Sequence, residues 1–140
     1  SAAGLRDVHI SPGSADAWSP KVLRAGMGAH FALRIHEQVD LLALTIASSF
    51  PVYAAQADAE QSLYRVDLSG HCSWIFGNEG AGIAPELAQH ARALSIPMPG
   101  GAESLNVAAA VAVCLFEQVR QRQGTADDEA MPANRRGAPA

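Results

Sequence analysis

The sequence predicts an α/β fold, a parallel sheet with helices on both faces, and three observations predict it. Short strand-like runs alternate with helical patterns over most of the 140 residues, and such crossovers return each strand parallel to the last. Apolar residues make up 49% and charged residues 17%, a balance that suits one folded domain. A loop broken by proline and glycine, Ile96 to Gly101, runs straight into a long apolar helix.

The elements follow in order. Ser1-Ala2-Ala3-Gly4 has the form of a last helical turn with Gly4 at its C-terminal end. Val8 to Ile10 reads as a short strand before the turn residues Ser11-Pro12-Gly13-Ser14. Ser19-Pro20 opens a short helix, cap then first position, which ends at Gly26-Met27-Gly28. Phe31 to Ile35 reads as a second strand and Val39 to Ser48 as a helix with a wide apolar stripe. Pro51 to Ala55 is a strand whose proline stands at its start, where it is tolerated. Asp58 to Ser69 is mixed and polar, a surface connection with room for one short strand. Cys72 to Phe76 is a compact strand, Pro85 to Ala91 a short helix, and Ala93 to Ile96 the last strand.

From Leu105 to Phe116 every residue is apolar except Asn106, the pattern of a helix buried on all sides. Ser104 suits its N-cap, and a helix running through Arg122 is about 28 Å long. Asn106 then stands at the mouth of a buried helix and must find partners. Two readings of it stay open: a second capping residue, or a contact to a ligand. After Gln123 the apolar pattern stops, so residues 123–140 read as a disordered tail behind a domain of residues 1–122.

Formal net charge is −4, so no overall basic field announces nucleic acid, although a local arginine patch could still bind it. Cys72 and Cys114 each lie in an apolar stretch, as reduced core thiols of a cytoplasmic protein do. The five histidines show no metal-ligand spacing, so no metal is expected. The longest apolar run, Val107 to Phe116, is too short to span a bilayer, and no membrane partner is expected.

Gly77-Asn78-Glu79-Gly80-Ala81-Gly82 follows a strand, where α/β sheets bind ligands. Its spacing is G-x-x-G-x-G, neither the dinucleotide fingerprint nor a phosphate loop, which disfavours a nucleotide-binding Rossmann domain. A plain tight turn explains it equally well. Glu79 could cap a helix, bridge loops or orient a ligand.

Two segments taken together carry more. Ile75 to Ile83, followed by Ser95-Ile96-Pro97-Met98 and Glu103-Ser104-Leu105-Asn106-Val107-Ala108, closely resembles the second and third motifs of the SpoU (TrmH-like) RNA ribose methyltransferases of the SPOUT superfamily. Ser19 to Ala29 is similar to the family's segment between its first and second motifs. The resemblance covers roughly residues 1–122. It implies a deep C-terminal trefoil knot, an exception to the rule against threaded chains. It also implies a homodimer, S-adenosylmethionine as cofactor, and methyl transfer to a ribose 2′-hydroxyl of rRNA or tRNA.

Carried over residue by residue, the resemblance implies a cofactor site of Ala54, Ala55, Gly77, Asn78, Glu79, Gly80, Ile96, Met98, Ser104, Leu105 and Asn106. Ser104, Asn106 and Glu79 form its catalytic polar set, and the implied role for Asn106 is functional. Arg24 is implied as an RNA-phosphate contact, with a structural salt bridge as its other reading. Gly26 departs from the pattern, since relatives often place Ser there. The family's first motif carries an Asn and an Arg, the latter tied to removal of the hydroxyl proton. Neither is present, and Ser1 matches a position just after that Arg. The expectation is therefore a domain incomplete at its N-terminus and catalytically incomplete as it stands. The alternative is a knotted RNA-binding or dimerisation module without turnover.

Overall fold

The computed structural model describes residues 1–78 and 80–130, with side chains as far as Gly124. The described residues form five strands and four α-helices, which alternate except between the third and fourth strands: β1 (Asp7–His9), α1 (Pro20–Ala25), β2 (Arg34–His36), α2 (Leu41–Ile46), β3 (Val52–Ala55), β4 (Ser73–Ile75), α3 (Pro85–Ala88), β5 (Arg92–Leu94) and α4 (Val107–Ala130). Single 3₁₀ turns lie at Ala29–Phe31 and Leu63–Arg65. Every ladder is parallel, as the alternation predicts.

The strands form two sheets rather than one: β1 with β2, and β4-β3-β5 with β3 in the middle. This corrects the single sheet of the sequence reading. Alternation fixes strand direction but not which neighbour a returning strand takes. α2 and α3 meet in contact.

Local chemistry sets most of the boundaries. Ser19 Oγ accepts from the Val22 amide at 3.4 Å, with Pro20 at the first helical position. Asp40 caps α2 by accepting from the Ala43 amide at 3.0 Å. The strand expected from Phe31 starts only at Arg34, because Ala29–Phe31 winds into a 3₁₀ turn and the Ala32 and Leu33 amides donate back to the Ala29 carbonyl. Gly26 has a local reason. A Cβ there would lie 2.8 Å from two atoms of the His30 ring, whose Nε2 is 2.8 Å from the Ala17 carbonyl.

The core is Tyr53, Leu63, Leu68, Leu94 and Cys114, with Trp74, Phe76 and Val113 packed against it. Leu63 and Leu68 correct the surface connection expected between Asp58 and Ser69. The Leu63 amide donates to the Ser95 carbonyl and the Ser95 amide to the Gln61 carbonyl, which lays Gln61 to Leu63 beside the end of β5, while the Leu68 amide donates to Gln121; both leucines are buried. A 3₁₀ turn between irregular segments leaves no periodicity to read.

The long helix is not buried all round. Cys114, Glu117 and Gln118 are buried, whereas Ala108, Ala109, Ala112 and Phe116 are exposed. Alanine makes a helix look apolar without demanding burial on every side. The helix also continues to Ala130, past Gln123, where the tail was expected to begin. The remainder of that expected tail, residues 131–140, lies outside the described residues.

Candidate active site

Because β3, β4 and β5 are parallel, their carboxyl ends face the same way, and a cavity of about 430 Å³ opens there. Ala55 and the segment Gln56 to Asp58 line it after β3. Phe76, Gly77 and Asn78 do so after β4, and Ile96 and Met98 after β5. Ser104, Leu105, Val107 and Ala110 close it at the start of α4.

The glycine loop is a tight turn and a cavity wall at once. A Cβ at Gly77 would lie 2.2 Å from the Gly82 carbonyl carbon and 2.7 Å from the Ile83 nitrogen, so only glycine fits without moving backbone. Asn78 and Gly82 exchange backbone hydrogen bonds of 3.2 and 3.0 Å, and Gly82 has a φ of 67°. Asn78 Oδ1 accepts from the Gly80 and Ala81 amides at 2.9 and 2.5 Å, which ties the loop internally.

At the head of α4, Asn106 is the N-cap and not Ser104. Asn106 Oδ1 accepts from the Ala108 and Ala109 amides at 2.9 and 3.4 Å, and its carbonyl accepts from the Ala110 amide at 3.0 Å. Both residue types cap helices, and the sequence had no means of choosing between positions two residues apart. Ser104 lines the cavity instead.

Of the residues implied for the site, Ala55, Gly77, Asn78, Ile96, Met98, Ser104 and Leu105 converge on the cavity. Ala54 is fully buried within β3, behind that wall. Gly80 sits in the loop donating to Asn78, and Asn106 caps the helix immediately after the lining residue Leu105. Glu79 lies outside the described residues. Arg24 lines a separate shallow depression with Lys21 and Ala25. Gln56 and Asp58 escaped the sequence reading, although their place just past a strand end was a usable signal. Cys114 is unsuited to nucleophilic work: burial pushes its thiol up to about 11. Among the described residues no three His, Cys, Asp or Glu could share a metal, and no helix is long and apolar enough to cross a membrane.

The sequence model of the SpoU rRNA Methylase family matches residues 1–116. The chain belongs to that family. A relative, the 23S rRNA (guanosine-2′-O-)-methyltransferase RlmB of Xanthomonas campestris pv. campestris, is 49% identical over 74 residues, 52% of this chain and 30% of the relative. The AdoMet-bound rRNA methyltransferase from Sinorhizobium meliloti is similar with a TM-score of 0.76 at 34% identity, over 85% of this chain and 47% of that one. The SpoU methyltransferase AviRb from Streptomyces viridochromogenes, in complex with AdoMet, gives a TM-score of 0.79 at 25% identity, over 88% and 52%. This SpoU-family chain thus spans about half the length of these two structural relatives, and less of RlmB.

Proposed function

We propose that these residues form the cofactor-binding part of an S-adenosylmethionine-dependent methyltransferase that modifies a ribose 2′-hydroxyl of rRNA or tRNA. The observation that carries the reading is the convergence of the two family motifs, Gly77-Asn78 and Ile96 to Leu105, on one cavity at the carboxyl ends of three parallel strands. The residues fit the cofactor. The cavity volume lies within the ~300–1,000 Å³ range of small-molecule sites, Gly77 offers backbone where a side chain would intrude, and Ile96, Met98 and Leu105 provide apolar walls for a flat ring.

When bound, S-adenosylmethionine supplies an electrophilic methyl group on a sulfonium centre. The chain's own part is to hold the donor, orient it and exclude water. Leu105, Val107 and Ala110 shield the cavity from the side of α4, and Ser104 is a polar residue of its lining. In this reading Ser104, Asn106 and Glu79 are the polar set at the reacting centre. Asn106 works there indirectly as well, since its cap fixes where the Ser104-Leu105 segment enters the helix.

We further infer that α4 is threaded as a trefoil knot and that two copies pair in the cytoplasm. The family membership supports both, and the exposed stripe Ala108, Ala112 and Phe116, spaced one turn apart, supports pairing. The test is ultraviolet cross-linking of radiolabelled S-adenosylmethionine to the protein, where capture of label supports the reading and none contradicts it; since the first-motif Asn and Arg are absent, methyl transfer to bulk rRNA or tRNA, digested to nucleosides, is a second readout. Label in 2′-O-methylnucleosides supports the reading; label in methylated bases alone contradicts it.

A further inference from the structure

We propose that the segment from Lys21 to Phe31 is a single-stranded RNA contact, in which Phe31 stacks on an unpaired base while Lys21 and Arg24 hold flanking phosphates. The inference rests on the proposed function and adds a place on the molecule for the RNA.

Charge comes first. In a protein of formal net charge −4, the stretch from Ala17 to His36 holds Lys21, Arg24 and Arg34 and no acidic residue. Arg34 is committed to Asp7 at 2.5 Å, whereas among the described residues Lys21 and Arg24 have no ion-pair partner. The two cations stand one helical turn apart on α1 and share a shallow depression. A positive strip within a negative molecule attracts a polyanion locally and repels it elsewhere.

The apolar chemistry beside them comes second. Phe31 is 98% exposed and Met27 90% exposed, far beyond the other large apolar side chains. Both belong to the tight knob that ends α1, where the Met27 amide donates to the Arg24 carbonyl and the Phe31 amide to the Gly28 carbonyl. Met27 has a φ of 46°, a left-handed backbone that a residue with a side chain rarely adopts. A ring held out in water on the short turn that follows a helix bearing two uncommitted cations is the chemistry of a base-stacking platform. A face built for another copy of the chain would gain from apolar area of any shape; stacking needs a flat ring.

That difference defines the test. Binding of a fluorescein-labelled single-stranded oligoadenylate to the 140-residue chain is followed by anisotropy over a range of salt. Phe31→Leu should weaken binding about tenfold, within the range set by stacking energies, while Phe31→Trp should bind like the unaltered protein. Lys21→Gln with Arg24→Gln should flatten the dependence of log K on log salt by roughly 1.4, at about 0.7 per single-strand phosphate. No binding by the unaltered chain, equal binding by Phe31→Leu, or an unchanged salt slope would overturn the proposal. So would a fall in sedimenting mass on Phe31→Leu, which would assign the face to a second copy. Thermal melts of each variant check folding. S-adenosylmethionine titrated into the unaltered chain separates the two readings: cofactor binding without RNA binding sinks this inference and leaves the proposed function standing.

Discussion

Asn106 serves α4 through its side-chain carbonyl, so substitutions there combine two effects that can be separated. Asn106→Ala removes the acceptor for the Ala108 and Ala109 amides and should lower stability by about 1 kcal/mol in urea unfolding. Asn106→Asp and Asn106→Ser keep a capping oxygen and should melt close to the unaltered protein. If Asn106 also contacts the cofactor, these two variants stay folded yet lose S-adenosylmethionine affinity in titration; unchanged affinity in both would reduce its role to the cap. Gly77 allows no such separation. Its missing Cβ leaves room for the Gly82 backbone, and Gly77→Ala should cost roughly 2–3 kcal/mol, as overpacked sites do. The same change should distort the cavity wall, so a drop in melting temperature and loss of cofactor binding are expected together.

At the scale of elements, α4 is fastened by a polar seam as much as by apolar packing. Gln118 accepts from Trp74 Nε1 at 3.1 Å and donates to Cys72 Sγ at 2.8 Å. Gln121 accepts from the Leu68 amide at 2.7 Å and donates to the Val66 carbonyl at 3.1 Å. These bonds hold the irregular segment after the Leu63–Arg65 turn against the helix, so Gln121→Ala strands two half-buried backbone groups. A loss of ~1–3 kcal/mol is expected in denaturant unfolding. Glu117 adds a pH dependence. The hydrogen bond from Arg120 holds its carboxyl below the ordinary 4.5, with Gln121 assisting against the opposing effect of burial. A carboxyl lowered in the folded state stabilises fully above its unfolded value, and that contribution is lost as pH falls through the folded one. Melting temperature should therefore fall more steeply below about pH 4.5 for the unaltered protein than for Glu117→Gln; parallel curves would remove Glu117 from the account.

For the molecule as a whole, the legible parts were those with local chemistry. Ser19-Pro20 and Pro85 marked helix starts, Pro51 marked a strand, and the two family motifs picked out six residues that, with Ala55, converge on one cavity. What stayed hidden depends on long-range pairing. The division into two sheets is set by which strands neighbour one another, the placing of Leu63 by hydrogen bonds to Ser95, and that of Leu68 by a bond to Gln121 on α4. The exposed face of α4 could not be read either, because a run of alanines looks the same against a core, a partner or water. The central claim is that three parallel strand ends and the head of α4 enclose a methyl donor. Isothermal titration of S-adenosylmethionine into the 140-residue chain tests it most directly: saturable heat with one site per chain, abolished by Gly77→Val, is the predicted result, and no heat from the folded, unaltered protein would contradict it.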